Sequence, residues 1–165
     1  MWLENEVKIN KEAFLSRVKE ISNALGINPN YLMAVMSLES GLRPDAVNIT
    51  SGASGLIQFM PDIAKSYGTT VEELRKMSNI EQLDYVYKHL RPYSGRMKTF
   101  PDVYFAVFFP VAIGKPDSFI LETSKKSALL IASQNPIFDL DKDGKITVGE
   151  VKEYLKEFLK KKGLK

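Results

Sequence analysis

Asp139, Asp141 and Asp143 stand two residues apart in the run D-L-D-K-D-G-K-I-T-V-G-E, residues 139–150. Carboxylates at that spacing can converge on one centre. Gly144 follows where a sharp turn calls for a positive φ. Lys145 would offer only its backbone carbonyl, and Ile146 a short strand-like contact. Thr147 would act directly or through a water, and Glu150 would close the cage with both oxygens. Four acids gathered around nothing would repel one another, so the pattern predicts a hard cation, and the twelve positions are those of a calcium loop. A plain Asp-Gly turn before a helix leaves the match at the restrictive positions unexplained.

The loop resembles an EF-hand, and only a single one. Apolar residues Val151, Tyr154, Leu155, Phe158 and Leu159 predict an exit helix over Val151–Lys162. Pro136 ends or kinks any helix leading into the loop near Asn135. With no second loop to pair with, the expected role of Ca2+ is a structural clip on the C-terminal helix rather than a cooperative switch.

A different chemistry is available at Glu39. It ends an apolar helix in M-S-L-E-S-G-L, just before a glycine-rich stretch from Gly41 to Gly55. A half-buried carboxyl holds its proton more tightly than an exposed one and can serve as a general acid. A helix-terminal Glu meeting solvent is the plain alternative. The following G-A-S-G-L-I-Q-F-M-P, Gly52–Pro61, lets the backbone approach a ligand closely. Gln58 can donate and accept hydrogen bonds, as a sugar or N-acetyl group requires, and Phe59 and Met60 offer apolar surface to a sugar face.

The elements that must position these residues are helical. Asn10 can cap a helix carrying Phe14, Leu15, Val18 and Ile21, ended near Gly26. Asn28-Pro29 starts the helix that ends at Glu39 and Ser40. Pro61 opens a short helix to Tyr67; Thr70 with Glu73 and Ser78 with Glu81 form capping boxes. Pro101 begins a buried helix stopped by Pro110, and another is expected over Ser124–Ser133. No strand, repeat or low-complexity segment is discernible.

Composition sets the outer bounds. At 165 residues, 44% hydrophobic and 26% charged, the chain can bury a proper core. No run of about 18 apolar residues predicts a membrane span, and the N-terminus has no secretory pattern as it stands. There is no Cys, which excludes disulfides and thiolate metal sites. The net charge of +3 is mild, and the basic tail KEFLKKKGLK suits a helix C-terminus better than nucleic acid, for want of interleaved aromatics. His89 has no second His or Cys to make a metal site, and Trp2 reads as a packing anchor.

A-V-M-S-L-E-S-G-L followed by G-A-S-G-L-I-Q-F-M-P resembles the lytic transglycosylase and goose-type lysozyme (SLT) family, directly over Ala34–Pro61 and in helical order from about Phe14 to Ser133. The resemblance implies an all-α, lysozyme-like helical domain at 1–133, with the EF-hand-type loop and helix at 134–165. It implies cleavage of the β-1,4 bond between N-acetylmuramic acid and N-acetylglucosamine in peptidoglycan, in the periplasm or cell wall. Glu39 would protonate the leaving oxygen, then act as base on the muramic 6-hydroxyl, closing a 1,6-anhydro ring. Ser40, Ser54, Gln58, Phe59, Met60 and Tyr104 are the expected substrate-side residues, with Ser40 orienting the carboxylate. Hydrolysis with inversion needs a second carboxylate, for which Asp45 and Asp62 are the acids close in sequence.

One departure stands out. Where the family carries Ala-Tyr-Asn-Ala-Gly, with a Tyr against the catalytic Glu, this chain reads A-V-F-F-P-V-A-I-G; Phe108 and Phe109 take the Tyr and Asn places. Tyr104, one turn earlier, is the expected substitute, with Tyr93 the loop alternative. The Phe-Phe-Pro variant is similar to lysins of phage tails and injection devices, which agrees with the missing signal peptide. A catalytically silent wall-binding module and a hydrolysing muramidase are the rival expectations. The chain is expected to act as a monomer.

Overall fold

The computed structural model describes residues Met1–Lys165. The chain is all-α, with eight α-helices and isolated bridges in place of strands. It divides into two compact units, Met1–Val103 and Tyr104–Lys165. The boundary falls inside one helix, well before the division expected after residue 133.

In the first unit α1 is Lys11–Leu25, α2 Pro29–Ser40, α3 Pro61–Ser66, α4 Val71–Lys76 and α5 Asn79–Leu90. Phe14, Val18, Ile21 and Leu25 recur at helical spacing on α1 and are buried. That face packs on α2 and α5, which contribute Leu32, Met33, Met36, Leu83, Val86 and Leu90. Each such side chain contributes roughly 1.5–3 kcal/mol by leaving water. Arg17 of α1 meets Asp84 of α5 at 2.7 Å on the surface above this core.

The helix starts follow local chemistry with two exceptions. Asn28 Oδ1 accepts from the Asn30 N–H, with Pro29 at the first helical position. Asn10, expected to cap α1, sits left-handed at φ 51 and makes no side-chain cap. Its amide donates instead to Asn79 Oδ1, tying the start of α1 to α5. Thr70 and Ser78 cap α4 and α5 by accepting from Glu73 and Glu81 N–H groups. The Glu73 carboxylate accepts from Thr69 Oγ1 at 2.8 Å, and in both expected boxes only the N-cap half forms.

Helix α6, Phe100–Phe108, crosses the boundary; α7 is Ala128–Gln134 and α8 Val148–Lys161. Helix α7 starts later than the expected Ser124, because Thr123 Oγ1 accepts from the Lys125 and Lys126 N–H groups and folds them into a turn. It ends before Asn135-Pro136, as the proline requires. Helix α8 starts three residues earlier than expected, since Thr147 and Glu150 form a reciprocal capping box. Phe138 anchors the second unit: its ring centroid lies 5.9, 5.1 and 4.9 Å from those of Tyr104, Phe108 and Tyr154. No helix is long and apolar enough to cross a membrane.

Candidate functional site

Glu39 lies in the last turn of α2, half-buried. Gly41 ends the helix at φ 62, and its N–H donates to Ser37 O at 2.8 Å. Leu42 follows at φ 61, a left-handed conformation that costs a non-glycine residue free energy. Its side chain is buried, and that burial holds the turn. The chain is thereby turned within three residues of Glu39.

The chain returns as a braced turn. Val47 pairs with Ser54, and Ser54 with Phe59, as successive antiparallel bridges. The Gly55 N–H donates to Ala46 O at 2.9 Å, and the Gln58 N–H to Gly55 O at 3.1 Å. Gly55 holds φ 88 and Gln58 φ 57. At Gly55 a Cβ would also lie 2.5 Å from Gln82 Oε1, so a glycine is required twice over.

Ser40 joins the outgoing and returning runs of chain. Its Oγ lies 2.9 Å from both Met36 O and Leu56 O, so it locks the end of α2 to the turn. It therefore fixes the backbone next to Glu39. Ser54 is fully buried; its hydroxyl donates to Gly52 O and accepts from Arg75 Nη1 at 2.9 Å. Gln58 spends its Nε2 donors on Gly55 O at 3.0 Å and Ala46 O at 3.3 Å. Phe59 is buried, edge-on to Tyr67 and His89. Met60, 44% exposed, is the one of these side chains with a large free apolar face. Tyr104 is buried, its ring 5.6 Å from that of Phe108. Asp45 and Asp62 are both exposed, one in the loop and one in the first turn of α3.

Ser40, Ser54 and Gln58 thus brace the turn, a role a motif cannot separate from ligand contact because both call for polar groups beside glycines. One brace escaped the motif altogether. Gln82 of α5 is fully buried, accepting from the Leu56 N–H at 2.6 Å and donating to Pro44 O and Leu74 O at 2.9 Å each. Its signal in the sequence is a polar residue at the buried register of Asn79, Leu83, Val86 and Leu90. The one histidine serves packing too: His89 Nδ1 lies 2.8 Å from the Tyr67 hydroxyl. Burial holds that phenol above its usual range, and Tyr93 adds to the shift.

The second unit carries the acidic loop. One carboxylate oxygen from each of Asp139, Asp141 and Asp143 lies within 4.8 Å of the others. Gly144 takes φ 82, and its N–H donates to Asp139 Oδ2 at 3.0 Å. The Lys145 N–H donates to Asp143 Oδ1, fixing that carboxylate inward of the turn. Glu150 reaches back from α8 to the Leu140 N–H at 2.7 Å and the Thr147 N–H at 3.1 Å. Desolvation raises the Asp141 pKa, and the nearby Asp143 and Glu150 charges add to this against a hydrogen bond from the Asp143 N–H. Oxygen donors crowded in this way fit a hard, oxygen-seeking dication.

The edge of this loop is paired within the same chain. Ile120 and Thr147 form an antiparallel bridge. The Leu121 N–H donates to Ile146 O at 2.8 Å, the Val148 N–H to Phe119 O at 2.9 Å, and the Gly149 N–H to Asp117 O at 2.9 Å.

Residues 16–88 match the family model described as Transglycosylase SLT domain. The match runs from α1 into α5 and includes Glu39, the braced turn and Gln82. No curated protein and no solved structure matches the chain. The stretch that holds Glu39 is thus similar to a family described by its transglycosylase domain.

Proposed function

We propose that this chain is a peptidoglycan lytic transglycosylase that uses Glu39 as its single acid and base. The observation that carries the reading is a half-buried carboxyl at the end of α2, held beside a braced glycine turn, inside the stretch that resembles the SLT family. Glu39 delivers its proton to the glycosidic oxygen as the bond to the muramic anomeric carbon breaks. It then removes the proton of the muramic 6-hydroxyl, whose oxygen attacks that carbon and closes the anhydro ring. One carboxyl performs both transfers, so no second acid is required. Met60, exposed beside the braced turn, offers an apolar face suited to a sugar ring. The phage tail or injection assembly suggested by the Phe108-Phe109-Pro110 run is the proposed setting.

We propose further that Asp139, Asp141, Asp143, the Lys145 carbonyl, Thr147 and Glu150 hold a structural Ca2+. It would neutralise four acids and fasten the start of α8, with no part in the bond cleavage.

A second reading has its own observation. Phe108 and Phe109 stand where the family's Tyr and Asn are expected, and Tyr104 is buried in an aromatic cluster. A wall-binding module without activity would tolerate both. Mass spectrometry of digested peptidoglycan decides between the readings. Anhydromuramyl ends that vanish with Glu39→Gln are expected. Hydrated reducing ends would mean a muramidase, and intact glycan with retained binding would mean the silent module.

A further inference from the structure

We propose that Gln82 is a positioning residue for the glycan-cleaving site, acting on Glu39 through Leu56 and Ser40; the proposal rests on the reading of Glu39 as acid and base. Gln82 lies on α5, away from the motif, and is fully buried. Its orientation follows from its partners. Only an amide oxygen can face the Leu56 N–H, and only an amide NH2 can face the carbonyls of Pro44 and Leu74. One side chain thus holds both arms of the loop: Pro44 on the run that leaves α2, and Leu56 on the run that returns. The carbonyl of the same Leu56 accepts from Ser40 Oγ at 2.9 Å. Leu56 is therefore gripped at its N–H by Gln82 and at its C=O by the residue next to Glu39. Gly55 leaves the space this requires, since any Cβ there would meet the Gln82 amide.

The energetic consequence is directional. A buried amide with three satisfied partners fixes the loop, while an apolar replacement leaves one N–H and two carbonyls without that partner. Small displacements of a proton donor cost rate steeply, with about 1 Å worth on the order of 100-fold. A merely structural glutamine would lower stability yet leave turnover per folded molecule unchanged.

The test measures steady-state cleavage of soluble glycan strands by the wild type, Gln82→Leu and Gln82→Glu, with the folded fraction read by circular dichroism at each pH. Gln82→Leu is expected to lose kcat by roughly 10- to 100-fold per folded molecule, with a far smaller change in KM. Gln82→Glu adds a reading that bare destabilisation does not. Its neutral carboxyl can accept from Leu56 and donate to one carbonyl; ionised, it would oppose two carbonyl oxygens. Burial raises its pKa, so its activity should fall as pH rises through a range where the folded wild type holds steady. Unchanged kcat in folded Gln82→Leu would overturn the proposal. So would a Gln82→Glu profile that tracks the wild type, and this arm decides alone where Gln82→Leu does not fold. A wild type that cleaves nothing would instead sink the reading of the site itself.

Discussion

The place where α2 stops suits Glu39 to the proposed role of acid and base. Its carboxyl is half-buried at a helix end, and Gly41 and Leu42 turn the chain away in left-handed conformations immediately after it. Loss of a general acid lowers rate by about 100- to 10,000-fold, so Glu39→Gln should abolish detectable anhydro product while the far-ultraviolet spectrum stays native. Ser54 shows the opposite assignment. Its hydroxyl is buried between Gly52 O and the Arg75 guanidinium. Ser54→Ala should lower stability by about 1–2 kcal/mol in urea unfolding, with KM unchanged. A raised KM at unchanged stability would return Ser54 to the substrate.

Among the elements, the stretch 117–121 matters beyond its size. It has no helix of its own, yet three backbone hydrogen bonds join it to residues 146–149 at the exit of the acidic loop. Ile146, Val148 and Leu121 are buried beneath this ladder. The chain thereby pairs the backbone edge of the acidic loop with its own residues. Gly149 is the close point, where a Cβ would lie 3.2 Å from Asp117 Cβ and 3.3 Å from Asp117 O. Gly149→Val should push the two strands apart and weaken calcium binding by roughly tenfold, the equivalent of one or two hydrogen bonds. Isothermal titration calorimetry checks this; affinity equal to the wild type would show that the ladder does not support the loop.

For the whole molecule, acids and bases balance in Met1–Val103, so the net charge of +3 falls on Tyr104–Lys165. Within that basic unit the loop concentrates four acids, whose mutual repulsion the proposed cation would relieve. A ligand bound only by the native state stabilises it by about 2.7 kcal/mol at 100 times its Kd. Calcium should therefore raise the melting temperature, and chelation should reverse the gain. Hydrogen exchange should locate the effect at the Leu121, Val148 and Gly149 amides, with α1 and α5 unaffected. Equal protection with and without calcium would remove the metal from the fold's stability.

The sequence by itself determined the helical periodicity, the prolines that start α2 and α3, the break at Pro136 and the spacing of the acids in the loop. These are local: each follows from neighbours within a turn or two. It also marked Glu39, because the residues flanking it are contiguous in the chain. The tertiary structure alone decided which polar residues near Glu39 are braces. Ser54 is claimed by Arg75, Leu56 by Gln82, and Phe59 by His89, all partners distant in sequence. The pairing of 117–121 with the loop exit was equally hidden, since an edge satisfied by backbone groups leaves no side-chain pattern to read. A hydroxyl or amide looks the same in a motif whether it faces a ligand or a carbonyl of its own chain; only burial and partners tell them apart.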